Sequence, residues 1–194
     1  MKVKYNAPVI ISYTIFCFFI IIAILSLDVG AGNKEKPGYL SYLFSVGGAF
    51  DFSNPICYFR LISHIFGHAD FGHFIGNFTL ILLIGPILEE KYGSKKLILM
   101  ILVTALIAGI IQSVFFNSWL LGASGVLFMM IILVSMSNFK DGEIPITFIL
   151  VMTLYLGKEF IEIFSFKAEN ISHSTHIIGG ICGAIFGFLE GPKK

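Results

Sequence analysis

Leu121-Gly122-Ala123-Ser124-Gly125-Val126 opens an apolar run that ends near Ser137, and the length of that run decides the fold. As a helix rising about 1.5 Å per residue, residues 124–137 span only about 21 Å. The hydrocarbon core of a bilayer is about 30 Å thick. With the inner end of the run at one face, Ser124 lies roughly 10 Å beneath the other. Trp119 to Ala123 is then irregular backbone at membrane depth. Such backbone is tolerated only where it is buried in protein or lines a wet cavity. The short run therefore predicts a water-filled hollow above Ser124. Small residues also occur where membrane helices pack closely, and a serine there often bonds a carbonyl one turn back. Gly-x-Ser-Gly alone does not separate these readings. The rest of the chain has to.

The composition sets the class. Of 194 residues, 56% are hydrophobic and 13% charged, with a mean hydropathy of +0.89. Soluble domains are nearer half apolar and a quarter charged. The chain reads as a polytopic membrane protein of one domain. A net charge of +1 gives no reason to expect a nucleic-acid partner. Cys17, Cys57 and Cys182 are an odd count without CxxC spacing, and two of them lie in apolar runs, so free thiols are expected rather than a disulfide framework.

Six spans are expected, at about 8–27, 71–88, 97–116, 124–137, 145–164 and 175–189. The first competes with a secretory signal peptide, but it is long for one and is followed only by a weak cleavage site, so an uncleaved span is favoured. Between the first two spans lies a long external segment. Its aromatic and glycine-rich part, Tyr39 to Phe50, reads as partly embedded at the interface. Six spans put both termini on one side. That parity places Lys2, Lys4, Lys91, Lys95, Lys96, Lys140, Lys193 and Lys194 on one face and only Lys34, Lys36, Arg60 and Lys167 on the other, which favours cytoplasmic termini. Spans two, four and six then all begin on the outer side. Their outer ends carry His73 and Asn77, Ser124, and His176.

Those residues form a constellation. The histidines are His64, His68, His73, His173 and His176, and polar groups at membrane depth are costly and usually functional. Ser124 opens its helix, where its own N–H lacks an intrahelical partner and the helix dipole favours developing negative charge. This is half an oxyanion hole with a nucleophile attached. In the sixth span, Gly179, Gly183 and Gly187 make a side-chain-free groove. Read blandly, the groove is tight packing. Read sharply, it docks on the fourth span and brings the His176 imidazole within reach of Ser124 Oγ. His73 and Asn77 are four apart and share a helix face, where both can donate to an oxyanion; the alternative is a buried pair satisfying each other. His64 and His68 precede that helix and either cap it, bond the long loop or stand by. A metal site built on His64, His68 and His73, with Asp70 as the one close carboxylate, has ligand-like spacing but no His-Glu-x-x-His, and no metal or other cofactor is expected.

With Phe59-Arg60, His68-x₄-His73-x₃-Asn77, Gly122-x-Ser124-Gly125 and His176-x₂-Gly179 together, the chain resembles the rhomboid intramembrane serine proteases from about Phe59 to Gly187. The resemblance implies an all-α membrane bundle of six transmembrane helices, with a short central fourth helix and a long interfacial first loop. It implies a Ser124–His176 dyad without a third carboxylate, and an oxyanion hole from His73, Asn77 and the Ser124 backbone. It further implies that Arg60 organises the first loop, that Glu89 helps hold the second span, and that the fifth span gates lateral entry. Two positions depart from the family pattern. Phe59 replaces a usual tryptophan, and Phe128, often tyrosine in the family, keeps a ring to stack on His176 but no hydroxyl.

The expected activity is cleavage of single-span membrane proteins near the outer end of their transmembrane segments. The expected setting is the lipid bilayer of a bacterial plasma membrane, with no nucleic-acid partner. Two other readings compete: a rhomboid-like protein that binds clients without cutting them, and a transporter or metal-binding protein built on the histidine cluster. Oligomeric state, natural substrate and the roles of His64 and His173 are not legible in the sequence.

Overall fold

The computed structural model describes residues 7–28, 37–136, 146–151, 153 and 170–190, and all the regular structure among them is helical. Apolar runs and their punctuation set the elements. Helix α1 (Pro8–Leu27) starts with proline at its first position, where the missing N–H is not needed. After α1 come two short helices of the first loop, α2 (Tyr39–Leu43) and α3 (Pro55–Ser63). Asn54 caps α3 by accepting from the Ile56 N–H at 3.0 Å, and Pro55 follows it. Helix α4 (Phe71–Tyr92) is capped by Asp70, which accepts from the His73 N–H at 2.8 Å. Gly93, at φ +80°, turns the chain directly into α5 (Ser94–Phe115). The remaining helices are α6 (Ser124–Ser135), α7 (Ile146–Val151) and α8 (Asn170–Leu189).

Helices α1, α4 and α5 are each long and apolar enough to cross a membrane, whereas α6 and the 174–189 stretch of α8 are shorter apolar helices. The first span begins and ends where expected. Helix α4 runs on past 88 to Tyr92, and α5 starts at Ser94 rather than 97. Helix α6 closes at Ser135, and α8 begins at Asn170, before 175. Hydropathy marks where lipid contact stops, whereas a helix continues while its backbone bonds are worth making. At the end of α4 the reason is visible. Glu89 is 3% exposed and accepts from the Val9 and Ile10 N–H groups at 3.0 and 3.1 Å, so it caps the start of α1. Ser94 also donates to Glu89, at 2.7 Å. The fifth expected span, 145–164, lies mostly outside the described residues, as does the polar turn at 138–143.

The bundle is built around α6. Every residue from Gly125 to Leu133 is buried, the mark of a helix enclosed by others. Helices α4, α5 and α8 all pack on it. Its contact with α8 is the closest. A Cβ placed on Gly179 would sit 2.0 Å from the Gly125 carbonyl oxygen, and one on Gly183 would sit 2.4 Å from that of Met129. Gly187 faces the Met136 sulfur in the same way. Gly179 and Gly183 of α8 thus rest directly on the backbone of α6, so dispersion contacts form at the shortest range available. Ile10, Phe78, Leu97, Met129 and Cys182 join α1, α4, α5, α6 and α8 in one apolar core. The thiols of Cys17, Cys57 and Cys182 are buried and free.

This packing predicts a contrast between two glycines. Gly183→Ala forces a backbone carbonyl to move and should cost about 1–3 kcal/mol in reversible unfolding. At Gly76 an added Cβ meets nothing within 4 Å among the described residues, so Gly76→Ala should be neutral or stabilise by up to about 1 kcal/mol through helix propensity. Equal effects at the two positions would contradict the docking.

Candidate active site

The approach to Ser124 is non-helical, and its backbone groups are accounted for one by one. Leu120 pairs with Val46 of the first loop in a single antiparallel bridge, with bonds of 2.8 and 2.7 Å. The Gln112 side chain donates to the Ser118 carbonyl at 2.7 Å. Gly122 donates its N–H to the His64 carbonyl at 2.9 Å, and the Ala123 N–H reaches His68 Nε2 at 3.4 Å. Gly122 has φ +132°, which side-chained residues rarely adopt, and a Cβ there would fall 2.7 Å from the His73 ring. Glycine is needed twice over, for the turn and for the imidazole beside it.

Ser124 is the first residue of α6 and is half-buried, while its helix neighbours are enclosed. Its amide sits where the helix supplies no acceptor. One turn along the same face is Phe128. The His176 ring lies flat on Phe128, with ring centroids 4.2 Å apart and planes 4° from parallel. Thr175, just before it, packs against Gly125. The His176 end of α8 is therefore held over the start of α6. The α8 glycines permit that closeness, and the Phe128 ring sets the imidazole's plane.

On α4, Asn77 is 6% exposed and His73 is half-buried. The Asn77 side-chain nitrogen has no hydrogen-bond partner among the described residues, so this pair does not satisfy itself. A buried orphan donor costs about 1–3 kcal/mol. Such a group marks a site that awaits an acceptor. The His73 and His68 rings meet edge to face at 5.2 Å.

Arg60 is 3% exposed, with no carboxylate partner among the described residues. It donates to the Ser45 carbonyl at 2.7 Å and the Gly47 carbonyl at 3.0 Å, under the Tyr42 ring at 4.0 Å and near the Trp119 ring at 4.8 Å. One guanidinium thus ties the first loop to the strand of chain that leads to Ser124. Phe59 is 54% exposed and meets only Phe44 edge-on among the described rings. Of the other sequence candidates, Gly125 and Gly179 face each other across the α6–α8 contact, and Glu89 lies at the far end of α4, away from Ser124. His173 lies on α8.

Asp70 caps α4 instead of joining the histidines. Among the described residues no three of His, Cys, Asp and Glu come together as a metal-holding group. The roles of His64 and His68 as props for the Gly122–Ala123 backbone were not readable from sequence. Each depends on a partner more than fifty positions away. The Val46–Leu120 bridge was missed for the same reason. The Asn54-Pro55 signal for α3, by contrast, was present in the sequence.

His64 Nε2 bonds the Ala105 carbonyl at 3.0 Å, so that nitrogen carries the proton. Burial pushes His64 down to about 4, and burial together with nearby His73 does the same to His68. Both rings are neutral at pH 7. The unfolded chain takes up these protons near 6.5, and the folded chain only near 4. Their contribution to stability is therefore complete above about pH 6.5 and is lost as the pH falls through about 4. The thermal midpoint should fall over that window, and His64→Gln, which cannot charge, should show a shallower fall. Identical slopes would show that His64 titrates alike in both states.

Residues 57–193 match the family of the rhomboid domain. The Rhomboid protease GlpG of Klebsiella pneumoniae is 27% identical over 139 residues, covering 70% of this chain and 50% of that protein. The Rhomboid protease GlpG of Salmonella paratyphi A is likewise 27% identical over 139 residues, with the same 70% and 50% coverage. The chain spans about half the length of the curated relatives it matches. The matched region carries Arg60, His68, His73, Asn77, Ser124, Phe128 and His176. Taken with its apolar helices, this match makes the chain an integral membrane protein that belongs to the rhomboid family.

Proposed function

We propose that this chain is an intramembrane serine endopeptidase that cuts single-span membrane proteins near the outer end of their transmembrane segments. The observation that carries the reading is the flat stack of His176 on Phe128, one turn from Ser124 at the head of α6. That stack supports a proton exchange between His176 and Ser124 at a helix N-terminus. The relatives named as rhomboid proteases support the same reading.

In the mechanism, the His176 imidazole takes the proton from Ser124 Oγ as that oxygen attacks the substrate carbonyl carbon. The carbonyl oxygen gains the negative charge. It is met by the Ser124 N–H, by His73 and by the Asn77 side-chain amide, the orphan donor described above. His176 passes its proton to the leaving amine, and the C–N bond breaks. Water from the outer hollow then loses a proton to His176 and attacks the acyl carbon, and that proton passes to Ser124 Oγ as the ester bond breaks. No third carboxylate and no metal or other cofactor enters. Phe128 keeps the imidazole plane fixed through both transfers, which matters because small misplacements cost rate steeply. The substrate must unwind locally to present an amide, so small or helix-breaking residues near the cut are expected. Six spans with cytoplasmic termini put the hollow on the outer face of a bacterial plasma membrane, with the fifth span as the lateral gate.

The competing reading is a family member that binds transmembrane clients without cutting them. The orphan Asn77 amide disfavours it, because a pure binding role has no evident need for a buried donor that lacks an acceptor. Cleavage of a panel of single-span proteins in reconstituted vesicles tests the proposal. Ser124→Ala should abolish cleavage and labelling by a fluorophosphonate while the protein stays folded. His176→Ala should lose labelling too. Undiminished cleavage by Ser124→Ala, or activity removed by chelators and indifferent to the probe, would overturn it.

A further inference from the structure

Gly179, Gly183 and Gly187 recur at every fourth residue, and each faces α6. The rail they form is self-similar. If α8 slipped by four residues, about 6 Å along its axis, glycine would again meet backbone at most positions. The rail sets how closely α8 approaches and leaves its axial register underdetermined. Packed helices do move past one another in one-turn steps. Ile178, Cys182 and Phe186 pack into the core, and contacts at the helix ends add to their choice of register.

At the outer end the choice is made by Thr175 on Gly125 and by the His176–Phe128 stack. At the inner end, Lys96 donates to Glu190 across 94 positions of sequence. Lys96 stands in the first turn of α5, and Glu190 follows the last residue of α8. Each charge also lies at the end of the partner helix that favours it: the acid at an N-terminus, the ammonium at a C-terminus. The two side chains are 51% and 30% exposed, so as a stability element the pair is weak. A weak bias is nonetheless enough to choose between registers that the rail leaves nearly equal.

We propose that Lys96 and Glu190 form a register lock that holds α8 where His176 lies over Phe128. They are positioning residues, because neither touches the reacting atoms. The inference itself rests on packing. Only its activity readout rests on the serine reading above.

Spin labels read the register directly. In a chain with Cys17, Cys57 and Cys182 changed to alanine, labels at Leu99→Cys and Ile185→Cys, both exposed on α5 and α8, should give one narrow distance distribution. Lys96→Glu or Glu190→Lys alone should broaden or split it, and the double reversal should narrow it again. In parallel, fluorophosphonate labelling of Ser124 should slow about fivefold in each single variant. It should recover to within about twofold in the double reversal, at an unchanged thermal midpoint. Lys95→Glu, the neighbouring charge, should leave both readouts alone. A narrow distribution in both single reversals, or a double reversal that stays broad, would overturn the lock. If a reversal lowers the midpoint, Lys96→Gln and Glu190→Gln are read by the same criteria. Raising salt on the unaltered pair from about 0.05 to about 1 M should also broaden the distances, and salt-independent distances would contradict the lock. A protein that never labels, yet whose distances follow this pattern, removes the serine reading and keeps the lock.

Discussion

The bundle depends on one contact, the bare glycine face of α8 lying on the backbone of α6. In lipid the hydrophobic effect does not press two apolar helices together, because the tails are as apolar as the side chains. Close backbone approach supplies the attraction instead, and it has a chemical consequence. His176 near one end of α8 is carried to within ring-stacking distance of Phe128 near the start of α6. A side chain larger than glycine at residue 179 or 183 would lift α8 away and take His176 with it.

Around that contact the rest of the structure deals with buried polar groups. The non-helical stretch before Ser124 would be untenable at depth with free amides. Val46, His64 and His68 supply its acceptors, and Arg60 holds the loop that carries Val46. Glu89 does comparable work at the far end, where it satisfies the start of α1. The Asn77 side-chain nitrogen and the Nδ1 atoms of His64 and His68 are buried without a hydrogen-bond partner among the described residues, and of these only the Asn77 amide lies on α4, one turn from His73.

Much of this was legible from local pattern. The first span followed from an apolar run, and the short helix α6 followed from Gly-x-Ser-Gly with a run too short to cross. The glycine repeat announced the α6–α8 docking, and the i, i+4 spacing put His73 and Asn77 on one face. What escaped has a common cause. Asp70 as a cap, His64 and His68 as props, the Val46–Leu120 bridge and the Lys96–Glu190 pair each need a partner that spacing does not identify. Helix ends were misjudged where charged residues continue a helix beyond the lipid, as at Glu89 to Tyr92. The fifth span, 145–164, falls mostly outside the described residues.

The central claim is spatial: Ser124, His176, His73 and Asn77 converge on one reacting carbon. Its most direct test is a structure of the protein after reaction with a fluorophosphonate. The account predicts phosphorus bonded to Ser124 Oγ, with a phosphoryl oxygen about 3 Å from the Ser124 amide, His73 and the Asn77 side-chain nitrogen, and the His176 ring still flat on Phe128. Phosphorus on another residue, or an adduct whose oxygen turns away from Asn77 while His176 swings off Phe128, would contradict it.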